Sequence, residues 1–284
     1  MSFKTRFAPS PTGPLHLGHA YSAILAYNMA LEAKGECLLR IENTDSTRCR
    51  PEWEEQIYSD LAWLGLVWPT PVLRQSDRKS AYDAAISKLS QMGLIFPCSC
   101  RRGDIAAAVS APQEGVSQFG PHGRIYPGTC RDRSLSEERK GDALRLNISK
   151  AVDMLTENLI YMETGLDAGQ KAIACKNLEN TMGDVVLRRR IHGDTAYHLA
   201  VVIDDNEQSI THVVRGEDLQ DATQIHVLLQ RLLDLKIPVF HHHALIRDEE
   251  QKRLAKRTDA KALSNYRANG ATPDDIRHLV GLGF

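Results

Sequence analysis

The chain has 284 residues, 42% of them hydrophobic and 25% charged, with a formal net charge of −1. That size allows one large core, or one domain carrying an insertion, and the near-zero charge excludes a uniformly basic nucleic-acid binder while leaving room for a local basic face. No apolar run reaches membrane-spanning length and MSFKTRFAPS lacks a signal-peptide core, so the expectation is a cytoplasmic protein with no membrane contact, and nothing in it demands more than a monomer.

Residues 3–8 predict a short strand, and the Pro/Gly run from Pro9 to Pro14 a loop. AYSAILAYNMALEAKG predicts a helix with Ile24, Tyr27 and Leu31 on one face and Gly35 at its end. CLLRIE, Cys37 to Glu42, is an apolar strand that completes a βαβ unit. Pro51 opens a helix over PEWEEQIYSDLAWLG, and Ser76 or Asp77 is expected to cap another over DRKSAYDAAISKLSQMG. Residues 101–143 show no sustained period and read as an insertion rather than a second compact domain. Ala196 to Asp205 and Ser209 to Asp218 predict buried strands, DATQIHVLLQRLLDL a helix and FHHHALI a last strand. A charged segment, RDEEQKRLAKRTDAK, follows, and Thr272 with Pro273 starts a short helix. The order implies an α/β fold, a parallel sheet interrupted by an insertion, and no GxGxxG follows the first strand.

His16 and His19 stand where the first strand turns into a helix. Free N–H groups at a helix N-terminus attract anions, and the carboxyl ends of strands in open α/β sheets bind ligands. Two imidazoles there can stabilise a phosphate, with Pro9, Pro11, Gly13 and Gly18 shaping the loop; the alternative is one packed and one solvated histidine. Lys252, Arg253, Lys256 and Arg257 form either a solvated basic face or a clamp on a polyphosphate. Cys98, Cys100 and Cys130 can hold zinc with a fourth ligand from Tyr126, His122 or Asp104, or can be small buried thiols. Cys37, Cys49 and Cys175 complete a set too sparse for a disulfide scaffold. Arg6, Glu42, Asp45, Tyr197, Asp204, Asp205, Arg215, Glu217 and Asp218 fall at or just after predicted strand ends. Arg6 and Arg215 together can read a carboxylate; paired surface charges are the alternative. Arg188 to Arg190 can touch an RNA backbone or form one exposed turn, and His241 to His243 should alternate in and out of a strand.

RFAPSPTGPLHLGHA (Arg6 to Ala20) resembles the HIGH-motif loop of glutamyl-tRNA synthetases, class I enzymes. RIENTD (Arg40 to Asp45) resembles their RIEDTD, YHLAVVIDD and THVVRGEDL their second Rossmann half, and RLAKR (Arg253 to Arg257) their KLSKR. Only 27 residues follow Arg257, too few for an anticodon-binding domain, so the resemblance narrows to the short glutamyl-Q tRNA(Asp) synthetases. It implies a class I Rossmann-type parallel sheet with an inserted zinc-bearing subdomain and a short helical C-terminus. The implied division is 1–97, first Rossmann half; 98–187, connective insertion; 188–247, second half; 248–284, KMSKS-type loop and tail. The implied activity is ATP-dependent formation of glutamyl-adenylate, with magnesium, and transfer of glutamate to queuosine in the anticodon loop of tRNA(Asp). Arg6, Phe7, Ala8, Pro9, Ser10, Glu42, Tyr197 and Arg215 would hold L-glutamate, Arg215 on a carboxylate and Glu42 on the α-amino group. His16 and His19 would stabilise the α-phosphate and Lys256 hold the ATP phosphates. CSC with YPGTC would bind one structural zinc through Cys98, Cys100, Tyr126 and Cys130. Three positions depart from the family pattern: Ala255 replaces the usual Ser of KLSKR, Arg253 its first Lys, and Asn43 the usual Asp beside Glu42.

Overall fold

A computed structural model describes residues 2–109, 119–120, 123–246 and 262–283; His122, Lys252, Arg253, Ala255, Lys256 and Arg257 lie outside the described residues. Strand β1 (Lys4–Phe7) leads into helix α1 (Leu17–Glu32), and β2 (Glu36–Ile41) returns parallel to β1. Helix α2 (Pro51–Trp63) begins on Pro51, whose missing N–H has no helical partner to lose, and β3 (Leu73–Arg74) adds parallel to β2. Helix α3 (Lys79–Gln91) starts later than expected, with Arg78 at its N-cap. Ser76 and Asp77 instead sit in a 3₁₀ turn, Gln75–Arg78, where Ser76 is engaged by Asn43 and Asp77.

Strand β4 (Ile95–Cys98) is followed by α4 (Arg102–Val109), two-residue strands β5 (Phe119–Gly120) and β6 (Gly123–Arg124), and β7 (Ala143–Leu146), which pairs antiparallel with β4. Helix α5 (Ile148–Asp153), the hairpin β8 (Ile160–Glu163) to β9 (Gly169–Ala172) and α6 (Leu178–Thr181) precede β10 (Val186–Arg188), the third strand of that antiparallel sheet. Helix α7 (Tyr197–Glu207), β11 (His212–Gly216), α8 (Ala222–Leu233) and β12 (Val239–His243) follow, with β11 and β12 parallel. Helices α9 (Leu263–Ala268) and α10 (Pro273–Leu279) close the described chain, and Thr272 caps α10 through a reciprocal bond pair with Asp275.

Strand β8 joins β12 in parallel, so a strand within the segment read as an insertion extends the second sheet, in the order β11-β12-β8-β9. The β1-β2-β3 sheet meets this mixed sheet where β1 lies beside β11: Thr211 N–H donates to the Lys4 carbonyl at 3.0 Å and Lys4 N–H to Thr211 Oγ1 at 2.8 Å. The α/β class with a parallel sheet is as expected.

One expected strand is a helix. Ala196 to Asp205 reads as an apolar run, but Tyr197–Glu207 is α7, with Leu199, Ala200, Val201 and Val202 all buried. A helix covered on every side shows no polar stripe, and a short apolar run then looks like a buried strand. Asp204 and Asp205 accordingly sit near the C-terminal end of α7, not at a strand end. One core packs α3, α7 and α8 against β8, β11 and β12; another packs α1 and α2 with α9 and α10. Each fully buried Leu or Ile contributes about 1.5–3 kcal/mol to these cores. Among the described residues no helix is long and apolar enough to cross a membrane.

Candidate active site

A cleft of about 540 Å³ opens at the carboxyl ends of β1 and β11 and the N-terminus of α1. The structure brings ten of the eleven residues expected to bind glutamate or ATP to its walls: Arg6, Phe7, Ala8, Pro9, Ser10, His16, His19, Glu42, Tyr197 and Arg215. The eleventh, Lys256, is outside the described residues. The Pro/Gly loop is tied down by its own carbonyls, Pro9 accepting from Glu42 N–H and Pro11 from Arg50 N–H, each at 3.0 Å.

His16 is the N-cap of α1. Its Nδ1 accepts from Gly18 N–H at 3.1 Å, while His19 Nδ1 accepts from His16 N–H at 3.1 Å, a capping box built from imidazoles. The rings lie 3.8 Å apart. With both Nδ1 atoms accepting, the proton of each neutral ring sits on Nε2, a donor. A Cβ on Gly18 would lie 3.1 Å from His16 Cε1, a tight contact with the ring.

The base of the cleft is an ion network. Asp205 meets Arg6 Nε at 2.9 Å and Arg40 at 2.7 Å, and Arg40 also bonds Glu42 at 3.2 Å. Burial opposes the charge on Arg40, but Asp205, Glu42 and Asp204 outweigh it and raise its pKa. Burial likewise opposes ionisation of Asp205, and Arg6 and Arg40 outweigh it and lower the carboxyl. Glu42 goes the other way, its carboxyl raised by burial despite Arg40. Asp204 lies behind, accepting from Tyr82 at 2.6 Å and Gln75 at 2.9 Å. Arg6 and Arg215, expected to read a carboxylate together, both line the cleft, with Arg6 paired to Asp205.

Arg215 differs. It is 5% exposed, yet its donors meet only neutral acceptors: His242 Nε2 (3.1 Å), Tyr197 Oη (3.3 Å), His226 Nδ1 (3.1 Å) and Thr223 Oγ1 (2.8 Å). Among the described residues it forms no ion pair, and burial pushes its guanidinium down. A buried cation on a cleft wall without an anionic partner is suited to an anionic ligand.

Cys98, Cys100 and Cys130 converge as expected, their sulfurs all within 4.8 Å of one another. Tyr126 Oη lies 3.4 Å from Cys98 Sγ and 3.8 Å from Cys100 Sγ, and Cys100 and Cys130 are 3.6 Å apart. Zn–S bonds of about 2.3 Å at tetrahedral angles place sulfurs roughly 3.8 Å apart, so this donor set fits a zinc-sized ion. Burial opposes ionisation of Cys130, but bonds from Tyr126, Ser99 and Cys100 hold its thiol at about 6; burial pushes Cys100 up to about 11. Asp104 does not join: its carboxylate caps Arg101 N–H at 2.7 Å.

The remaining candidates scatter. Asp45 pairs with Arg48 and Arg189, which together with its Thr47 bond hold it at about 2 against burial. Arg188 pairs with Glu138 and Arg190 has a buried nitrogen, so Arg188 to Arg190 is not one exposed turn. His242 and His243 face opposite ways, but both are buried, His243 against Ser22 in the cleft. Asp218 lines the cleft and Glu217 accepts from Leu245 N–H. Sequence reasoning missed Arg40, His226, Thr223 and Glu163. Only Arg40 left a local signal, two residues before Glu42 on the same strand face.

Comparison with known proteins places the chain in a family. Residues 2–284 match the family model described as tRNA synthetases class I (E and Q), catalytic domain. A Rhodobacter capsulatus protein named glutamyl-Q tRNA(Asp) synthetase is 55% identical over 280 residues, covering 98% of this chain and 99% of that protein. A Symbiobacterium thermophilum protein of the same name is 39% identical, covering 98% and 85%. A glutamate tRNA ligase from Elizabethkingia meningosepticum, solved in complex with its amino acid, superposes with a TM-score of 0.77 at 27% identity, over all of this chain and 61% of that one. Mycobacterium tuberculosis methionyl-tRNA synthetase shares the fold, with a TM-score of 0.60 at 9% identity. The chain belongs to the class I tRNA synthetases of the E and Q group, a family of ATP-dependent aminoacyl-tRNA ligases.

Proposed function

We propose that this protein activates L-glutamate with ATP to glutamyl-adenylate and transfers the glutamate to the queuosine base in the anticodon loop of tRNA(Asp). The observation that carries the amino-acid half is Arg215, a buried cation on the cleft wall held by neutral acceptors. A glutamate carboxylate would supply the missing anion, while Glu42 would ionise against the α-amino group. Arg6 would act through Asp205 as the floor of the pocket, with Phe7 to Ser10 and Tyr197 shaping it. The names of the two bacterial relatives support the choice of acceptor.

In the activation step a carboxylate oxygen of glutamate attacks the α-phosphorus, and pyrophosphate leaves. The chain supplies position and charge stabilisation rather than a nucleophile. Nε2–H donors of His16 and His19 would meet the growing charge on the α-phosphate, each such donor being worth about 3 kcal/mol. Lys256 would hold the ATP phosphates, and magnesium bound with ATP would neutralise part of their charge. The thiol cluster with Tyr126 would hold one structural zinc, since the Cys98–Cys130 region has only a small apolar cluster of its own.

Two charging assays test this. Base-labile glutamate should appear on queuosine-containing tRNA(Asp) and vanish when queuosine is absent; attachment to the 3′ end of a glutamate tRNA overturns the reading. Glutamate-dependent pyrophosphate exchange without tRNA should be present, and its absence would favour a non-catalytic binding role. Zinc content should fall in Cys98→Ser.

A further inference from the structure

One imidazole away from Arg215 lies a carboxylate that does not line the cleft. Glu163, at the end of β8, is 1% exposed and lies on the far side of His242. Its Oε1 accepts from His242 N–H at 2.9 Å and Gly165 N–H at 2.8 Å, and its Oε2 is 2.6 Å from His242 Nδ1. A Cβ on Gly165 would fall 2.1 Å from the His242 carbonyl oxygen, so the approach that delivers Gly165 N–H to Glu163 needs glycine. Across the imidazole, Nε2 is 3.1 Å from Arg215 Nε and 3.3 Å from Thr223 Oγ1.

Arginine Nε–H only donates, so His242 Nε2 must be the bare nitrogen and the ring proton must sit on Nδ1, bonded to Glu163. Resting on the reading of Arg215 as the glutamate-carboxylate group, we infer that Glu163 is a positioning residue: through His242 it fixes the ring tautomer that holds the Arg215 guanidinium at the cleft wall. Burial pushes the Glu163 carboxyl up, but two backbone N–H groups and the ring outweigh it and keep it low; burial pushes His242 down to about 4. The pair is thus an anion and a neutral ring. His226 on α8 and Thr223 hold the other guanidinium nitrogens and Tyr197 closes the set, so among the described residues Arg215 meets charge only at one remove.

The test uses ¹⁵N NMR of the full chain and pyrophosphate exchange. In the wild type, the His242 ring should be the Nδ1–H tautomer; an Nε2–H ring overturns the proposal. In Glu163→Gln the amide oxygen can keep the backbone bonds while its NH₂ faces Nδ1. The ring should then flip to Nε2–H and oppose Arg215 donor to donor. The KM for glutamate should rise roughly 10- to 100-fold, as for loss of a hydrogen bond to a charged group, with the KM for ATP and the unfolding midpoint close to wild type. A lower midpoint with an unchanged glutamate KM would make Glu163 merely structural and overturn the inference. Should that variant not fold, His242→Gln, which can accept from Arg215 and donate to Glu163, should keep the glutamate KM near wild type, whereas His242→Leu should raise it. Equal KM values in the two overturn the relay. Arg215→Met separates the layers: if it also leaves the glutamate KM unchanged, the carboxylate role of Arg215 itself has failed.

Discussion

Arg6 and Arg215 line the same cleft and are buried alike, 4% and 5% exposed, but they are held in opposite ways. Arg6 faces Asp205, which it shares with Arg40, so its charge is matched inside the protein. Arg215 is surrounded by two imidazoles, a hydroxyl and a phenol, none charged. A matched buried charge supports the fold because removing one partner strands the other. An unmatched one contributes little to the fold and keeps its binding capacity for a ligand. The same residue type, at adjoining strand ends, thus serves structure in one place and recognition in the other.

The largest expected effect is on the matched side. Asp205→Asn leaves two buried arginines short of an anion and should lower unfolding free energy by about 3–5 kcal/mol in urea titration. Arg215→Met should show the reverse profile. Glutamate affinity should fall by about 2–5 kcal/mol, read as the glutamate dependence of pyrophosphate exchange, while stability falls by less than about 2 kcal/mol, the cost of acceptors left unbonded. A strongly destabilised Arg215→Met with intact glutamate affinity would erase the contrast.

The smallest effect concerns Asp60, a buried carboxylate outside the cleft whose Oδ2 has no hydrogen-bond partner among the described residues. Burial pushes its pKa up to about 6, with Arg267 pulling weakly the other way. Between the unfolded value near 3.9 and about 6 the native state binds more protons than the unfolded one, so stability falls as pH rises through that window and stays reduced above it. Asp60→Asn should remove that slope and stabilise the protein by about 1 kcal/mol at pH 7. If Asp60→Asn were instead destabilising at pH 7, the premise that an unmatched buried charge contributes little to the fold would fail for carboxylates.

Much of the cleft was legible because it is local. The loop from Arg6 to His19 is contiguous, and Glu42 follows a strand that pairs with β1. The groups that support Arg215 were not legible: Glu163 and His242 are 79 residues apart in the chain, and their meeting depends on β8 adding to β12. Nothing in the spacing around Ile160 to Glu163 announces that pairing. The misread α7 has a related cause. Periodicity reports the contrast between a wet and a dry face, and Leu199 to Val202 has no wet face.

Strand β4 links two parts that otherwise share little. Ile95 at one end packs in the large core, and Cys98 at the other is a thiol of the metal-fitting cluster. Any ion bound by the folded cluster and not by the unfolded chain would therefore act by mass action on a strand the main core needs. Each tenfold rise in free metal above its dissociation constant would add about 1.4 kcal/mol to the stability of the strand's native state. Through this one strand, the free metal concentration around the protein would become a variable of its folding equilibrium.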